Sequence, residues 1–131
     1  MAIRVVIPKE SAPGEARVAL TPSTLTKINR LGVALAMTSG AGSGIFASDA
    51  DYKNVEIAMR QTALLKSGDV VLKVGPPTLT EVMAMQAGAT LISFLYAHER
   101  PDVVQALLQQ MLWQTARKNI RFQQTFQDTV E

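Results

Sequence analysis

The strongest constraint on this chain is a repeated alternation. Short, nearly continuous apolar runs are each stopped by Pro or Gly and followed by helical punctuation. Ile3 to Ile7 is a β-branched run ended by Pro8, as a buried strand would be. Lys9 to Leu20 is polar and broken by Pro13 and Gly14, which predicts a loop. Thr21-Pro22 opens a helix to Leu31, with Gly32 as its stop. Val33 to Thr38 is a second strand, followed by the glycine-rich turn Ser39-Gly40-Ala41-Gly42-Ser43-Gly44. Ser48 to Asp51 reads as the cap and first turn of a helix, and Val55 to Lys66 as helical in its second half. Asp69 to Val74 is a third strand, ended by Gly75-Pro76-Pro77. Thr78 to Gln86 is a helix with a Thr78/Glu81 capping box, and Gly88 ends it. Ala89 to Leu95 is a fourth strand, and a helix runs from Pro101 to about Leu112.

Strands alternating with helices predict a parallel sheet, and unbroken apolar strands predict a sheet covered on both faces. The expected fold is a three-layer α/β domain, flavodoxin-like or Rossmann-like, with a mostly parallel sheet flanked by helices. A chain of 131 residues suffices for one such core. At 47% hydrophobic and 18% charged it is not a disordered composition. A net charge of +2, spread along the chain, gives no footprint for nucleic acid. The absence of cysteine and the single histidine, His98, exclude a thiolate site and a multi-histidine zinc site. No apolar run approaches the roughly 20 residues of a membrane span, and the N-terminus lacks a signal-peptide shape. The expectation is a soluble, cytoplasmic domain.

Ligands of α/β sheets bind beyond the carboxyl ends of the strands, so the candidate residues are those at strand exits. Arg17 follows the first strand in a loop with Glu10 and Glu15. It is suited to clamp a carboxylate, or alternatively to pair with either glutamate on a solvated loop. Lys73 ends an apolar strand, where a lysine needs a partner or a cleft; the alternative is an edge lysine that discourages aggregation. Arg17 and Lys73 are expected on one side of the sheet, near one cleft. Tyr96 and His98 stand at the exit of the fourth strand. A lone histidine there is either an acid–base group or a surface residue. The Gly-x-Gly-x-Gly turn follows the second strand and opens no clear helix, so a structural turn outweighs a phosphate cradle.

In order, "IPKESAPGEARVALTPSTLTKINRLGVAL", "SGAGSGIFASDADYKNVE", "DVVLKVGPP" and "GATLISFLYAHERP" resemble the N-terminal domain shared by alanine dehydrogenases and transhydrogenase alpha subunits. The resemblance covers residues 1–111 as a domain; residues 112–131 form a divergent tail that it does not reach. It implies an α/β lobe that is incomplete relative to the family, because a second, dinucleotide-binding lobe would follow and hold NAD in the cleft between the two. Nothing after Leu112 resembles a Rossmann strand, glycine turn and helix. A truncation with a divergent tail, or a change of reading frame near Leu112, would produce that pattern. The fragment is therefore expected not to bind NAD or turn over by itself.

Two branches of the family differ at the fourth strand exit. Alanine dehydrogenases use an arginine and a lysine for the substrate carboxylate, which match Arg17 and Lys73, and a histidine directly after "FL". Here that position is Tyr96, with His98 two residues on. An aromatic in that place is similar to the transhydrogenases, where hydride passes from NADH to NADP+ bound by another subunit. The resemblance then implies membrane-embedded and NADP-binding partner subunits, and a place peripheral to the inner membrane. An alanine-dehydrogenase-like fragment and a non-catalytic assembly module are the alternatives. In the tail, Ile120, Phe122, Phe126 and Val130 could form an apolar stripe over an exposed face or in a homodimer; a frayed tail is the alternative.

Overall fold

A computed structural model describes residues 3–93 and 101–107 of the chain. Tyr96, His98 and the tail from 112 onward lie outside the described residues. Within them, five short strands form one sheet: β1 (Arg4–Ile7), β2 (Ala34–Thr38), β3 (Glu56–Ala58), β4 (Val70–Leu72) and β5 (Thr90–Ile92). Three helices intervene: α1 (Pro22–Asn29), α2 (Gln61–Ser67) and α3 (Leu79–Ala84). Residues 101–107 are also helical. The strand order is β3-β2-β1-β4-β5, and every pairing is parallel.

Period-two alternation sorts the strand residues between two cores. Val6 of β1, Ala36 of β2, Val71 of β4 and Leu91 of β5 face one side, where Leu64 and Leu65 of α2, Val82 of α3, Val103 and Leu107 pack on them. Val5 and Ile7, with Leu35 and Met37, face the other, against Leu25 of α1, Val18, Leu20, Ala41 and Tyr52. The result is a doubly wound, three-layer α/β domain. The apolar runs are continuous because both faces of the inner strands are covered.

The main departure from the sequence reading is β3. The segment Val55 to Lys66 holds a strand and then a helix, so the described sheet has five strands rather than four. Glu56 and Ala58, which flank Ile57, carry little intrinsic strand preference; the segment is extended because it pairs with Ala36, Met37 and Thr38 of β2. Ser48 to Asp51 also differs. It makes a single tight turn over Asp49–Asp51 and does not open an α-helix.

The order of the strands creates the position that matters. The chain leaves β1 outward through β2 and β3, then returns to β4 on the other side of β1. The carboxyl ends of β1 and β4 are thus neighbours whose following loops depart in opposite directions, which is the topological switch point where such sheets hold ligands.

The double-sided core gives a direct test. Leu64 is 1% exposed beneath the sheet. Leu64→Ala should lower stability by roughly 2–5 kcal/mol through lost transfer energy and a residual cavity. Urea unfolding should show a lower midpoint with an unchanged slope.

Candidate functional site

At the switch point lies a charged cluster that is almost entirely out of water. The side chain of Lys73, directly after β4, is 1% exposed, and those of Glu10 and Glu81 are 4% and 8% exposed. The lysine Nζ is 3.2 Å from Glu10 Oε1 and 3.7 Å from Glu81 Oε2. Lys73 keeps the parallel pairing, its N–H donating to the Ile92 carbonyl at 3.0 Å. It therefore shares the parity of Val71, and its side chain falls on the α2–α3 face. Two carboxylates on one ammonium would leave an excess negative charge; nearby N–H donors compensate it. Glu10 accepts from the backbone N–H groups of Val74 (3.0 Å) and Gly75 (3.1 Å). Glu81 accepts from Thr78 N–H at 2.9 Å, as the partner in the α3 capping box, and from Gln61 Nε2 at 2.9 Å.

Gln61, the first residue of α2, extends this network across the carboxyl edge of the sheet. Its Oε1 accepts from Lys9 N–H at 2.9 Å, after β1, and from the Thr38 hydroxyl at 3.1 Å, at the end of β2. One amide thereby joins the exits of β1 and β2 to the carboxylate behind Lys73.

A cleft opens beside the cluster, lined by Arg17, Val18, Ala19, Thr21, Ile45, Leu72, Lys73, Val74 and Ile92. Its walls are largely aliphatic, with the two cations among them. Arg17 lies on the loop after β1, whose Val18 and Leu20 join the α1-side core. Its guanidinium makes two hydrogen bonds to Glu15, from Nε at 2.9 Å and Nη2 at 2.8 Å. That side-chain pairing, with the Arg17 backbone N–H also donating, holds the Glu15 carboxyl down at about 2.

The glycine turn after β2 is closed from within. Asp49 accepts from Ser39 Oγ at 2.6 Å and Gly40 N–H at 2.9 Å. These bonds, the backbone one foremost, hold the Asp49 carboxyl below its ordinary value. Tyr52, 3% exposed, ties the turn to the β1 loop by donating its hydroxyl to the Leu20 carbonyl at 2.9 Å. A Cβ on Gly42 would fall 2.7 Å from that hydroxyl, and one on Gly44 would overlap the backbone of Ala16. These glycines permit close packing. With an aspartate already on the Gly40 N–H and the Ser39 hydroxyl, and no α-helix directly after it, the turn does not fit a dinucleotide pyrophosphate. Among the described residues, no group of three or more His, Cys, Asp or Glu could hold a metal.

Arg17 and Lys73 thus line one cleft, with Arg17 paired to Glu15 and Lys73 to Glu10 and Glu81. The edge-lysine alternative for Lys73 fails, because β4 lies between β1 and β5. Of the two pairings open to Arg17, the structure selects Glu15. Tyr96 and His98 lie outside the described residues. Gln61 and Thr38 were not legible as site residues, since nothing in the sequence joins positions this far apart. Glu81 was legible only as a helix cap, which uses one of its two oxygens.

A doubly wound parallel domain with a cleft at its switch point is the architecture of a ligand-binding α/β lobe. Residues 6–123 match the family described as alanine dehydrogenase/PNT, N-terminal domain, and the chain belongs to that family. The match runs past residue 112, where the resemblance read from the sequence stops. Among curated relatives, the NAD(P) transhydrogenase subunit alpha of Cereibacter sphaeroides is 32% identical over 79% of the chain and 20% of its own length. Alanine dehydrogenase of Mycobacterium tuberculosis is 33% identical over 81% of the chain and 29% of its own length. The solved transhydrogenase structure from Sinorhizobium meliloti superposes with a TM-score of 0.74 at 30% identity, covering 79% of the chain and 31% of that structure. The chain therefore spans between one fifth and one third of the proteins it matches.

Two expectations follow from the geometry. Lys73→Met leaves two buried carboxylates without their cation and should destabilise the domain by about 3–5 kcal/mol. Urea titration at neutral pH checks this. Asp49→Asn should cost about 1 kcal/mol at neutral pH. Because the Asp49 carboxyl is lowered from 3.8 on folding, the wild-type advantage is full above that value and fades as pH falls through the lower folded one. Stability of both proteins, followed from neutral to strongly acid pH, should converge.

Proposed function

We propose that this chain is the N-terminal part of a proton-translocating NAD(P) transhydrogenase alpha subunit and forms one wall of its nicotinamide cleft. The parent reaction is hydride transfer from NADH to NADP+. The observation that carries this reading is Tyr96, which directly follows Phe94-Leu95 at the strand exit where alanine dehydrogenases of the family place a catalytic histidine. The cleft geometry supports it: Arg17 and Lys73 are each engaged by their own glutamates rather than directed at a shared substrate carboxylate.

The hydride chemistry belongs to the nicotinamide, not to a side chain. This chain's contribution is an aliphatic wall of Val18, Ile45, Leu72, Val74 and Ile92, beside the Lys73 charge cluster. The main dinucleotide contacts lie on a second lobe, and NADP is bound by another subunit. The working assembly is a homodimer with membrane-embedded and NADP-binding subunits, at the cytoplasmic face of the inner membrane. Among the described residues no helix is long and apolar enough to cross a membrane. The second reading, an alanine-dehydrogenase-like lobe, is favoured by the presence of Arg17 and Lys73 at the positions that family branch uses.

The purified chain should show no turnover above a heat-killed control, either with NADH and an NADP+ analogue or with NAD+ and alanine; clear turnover overturns its inactivity alone. Exchange into two hosts separates the readings. In place of the matching residues of the Cereibacter sphaeroides alpha subunit the chain should sustain transhydrogenation. In an alanine dehydrogenase it should lower turnover by about 100-fold or more, the scale of a lost acid–base group. Full alanine turnover together with failed transhydrogenation would reverse the assignment.

A further inference from the structure

The amide of Gln61 has a direction that its surroundings dictate. Its oxygen accepts from two donors, Lys9 N–H at 2.9 Å and the Thr38 hydroxyl at 3.1 Å. Its nitrogen faces acceptors, Glu81 Oε2 at 2.9 Å and the Lys9 carbonyl at 3.4 Å. Reversing the amide would set NH2 against N–H and oxygen against carboxylate. The other oxygen of Glu81 accepts from Thr78 N–H, so the carboxylate's orientation is set only with Gln61 on its second oxygen. Its Oε2 is therefore placed by Gln61 and, 3.7 Å on, meets the Lys73 ammonium. Leu64 and Leu65 already bury α2 in the core, so the amide is not required to hold the helix down.

We propose that Gln61 is a positioning residue for the cleft lysine: its carboxamide, oriented by Lys9 and Thr38, places Glu81 so that Glu81 and Glu10 together fix the Lys73 ammonium at the cleft floor. The proposal rests on reading Lys73 as a residue of the nicotinamide cleft. It assigns to α2 a part in that cleft although Gln61 does not line it. At neutral pH a carboxamide, unlike a carboxylate, offers an acceptor at one end and a donor at the other, in the order this site needs. The charged groups around it are Glu81 from α3, Lys73 from the exit of β4 and Glu10 from the exit of β1; β2 contributes the uncharged Thr38.

The test uses the full chain labelled with nitrogen-15. It follows the Lys73 Nζ signal and the amides of Val74 and Gly75, which donate to Glu10. Gln61→Glu sets a second carboxyl against Glu81, and such a pair is easier to protonate in the folded than in the unfolded chain. Its folded pKa is raised, so the variant's stability is full below the ordinary value of about 4.3 and is lost as pH rises through the raised value. The three signals should be displaced in Q61E at about pH 7 and return toward wild-type positions on acidification to about pH 4, where the neutral carboxyl donates to Glu81 as the amide did. Wild type should lack this acid-linked recovery. Gln61→Met removes the bond without adding charge, and its displaced signals should show no recovery in acid. A Q61E chain that is unfolded at neutral pH and folds on acidification also supports the assignment. Signals of Q61M superimposing on wild type overturn it whatever Q61E does, and so do Q61E displacements independent of pH. None of these readouts involves a nicotinamide or turnover, so failure here and failure of the host exchange are separate results.

Discussion

The ammonium of Lys73 is held out of water at the point where the sheet reverses its winding, and the loops around it are shaped by what that burial demands. A buried cation is tolerable only when it is paired and when the partners' remaining lone pairs are filled. Glu10 supplies one partner by folding the β1 exit back over the β4 exit, where Val74 and Gly75 N–H groups complete its coordination. Glu81 supplies the other from the first turn of α3. The β1 loop, the β4 exit and α3 are thereby tied to one charged atom, and Gln61 brings in α2 and the end of β2.

That arrangement changes what the cleft can offer. Two basic residues at strand exits suggest an anion clamp when only the sequence is considered. In the folded chain one is bidentate with Glu15 and the other lies between two glutamates. The cleft presents a largely aliphatic wall beside a compensated charge cluster. The glycine turn beside it follows the same logic, because Asp49 occupies the Gly40 N–H and the Ser39 hydroxyl.

Much of the fold was legible in the residues because strong local signals agreed with it. β1, β2, β4 and β5 are apolar runs, the first three followed closely by Gly or Pro, and α1 and α3 begin at caps that chain chemistry specifies. β3 was not legible, because a three-residue segment with one strong strand former, Ile57, between Glu56 and Ala58 becomes a strand only when β2 is present to pair with it. The site divided in the same way. Lys73 was conspicuous as a lysine in an apolar strand, and the family order of segments marked Arg17 beside it. Gln61 and Thr38 carried no signal, since an exposed-looking glutamine and a strand-end threonine are ordinary in sequence.

What the sequence determined by itself is the class: alternating strands and helices with both-sided apolar runs admit few solutions other than a doubly wound parallel sheet, and local propensity and period carry that information. Which strand lies beside which, and therefore which side chains meet, was decided only by the tertiary structure. Glu10 and Lys73 are 63 positions apart and Gln61 and Lys9 are 52 apart. No periodicity links such positions. They meet because β1 pairs with β2 on one side and β4 on the other, which gathers the carboxyl-end loops into one place, and because a buried ammonium there has no stable state without them.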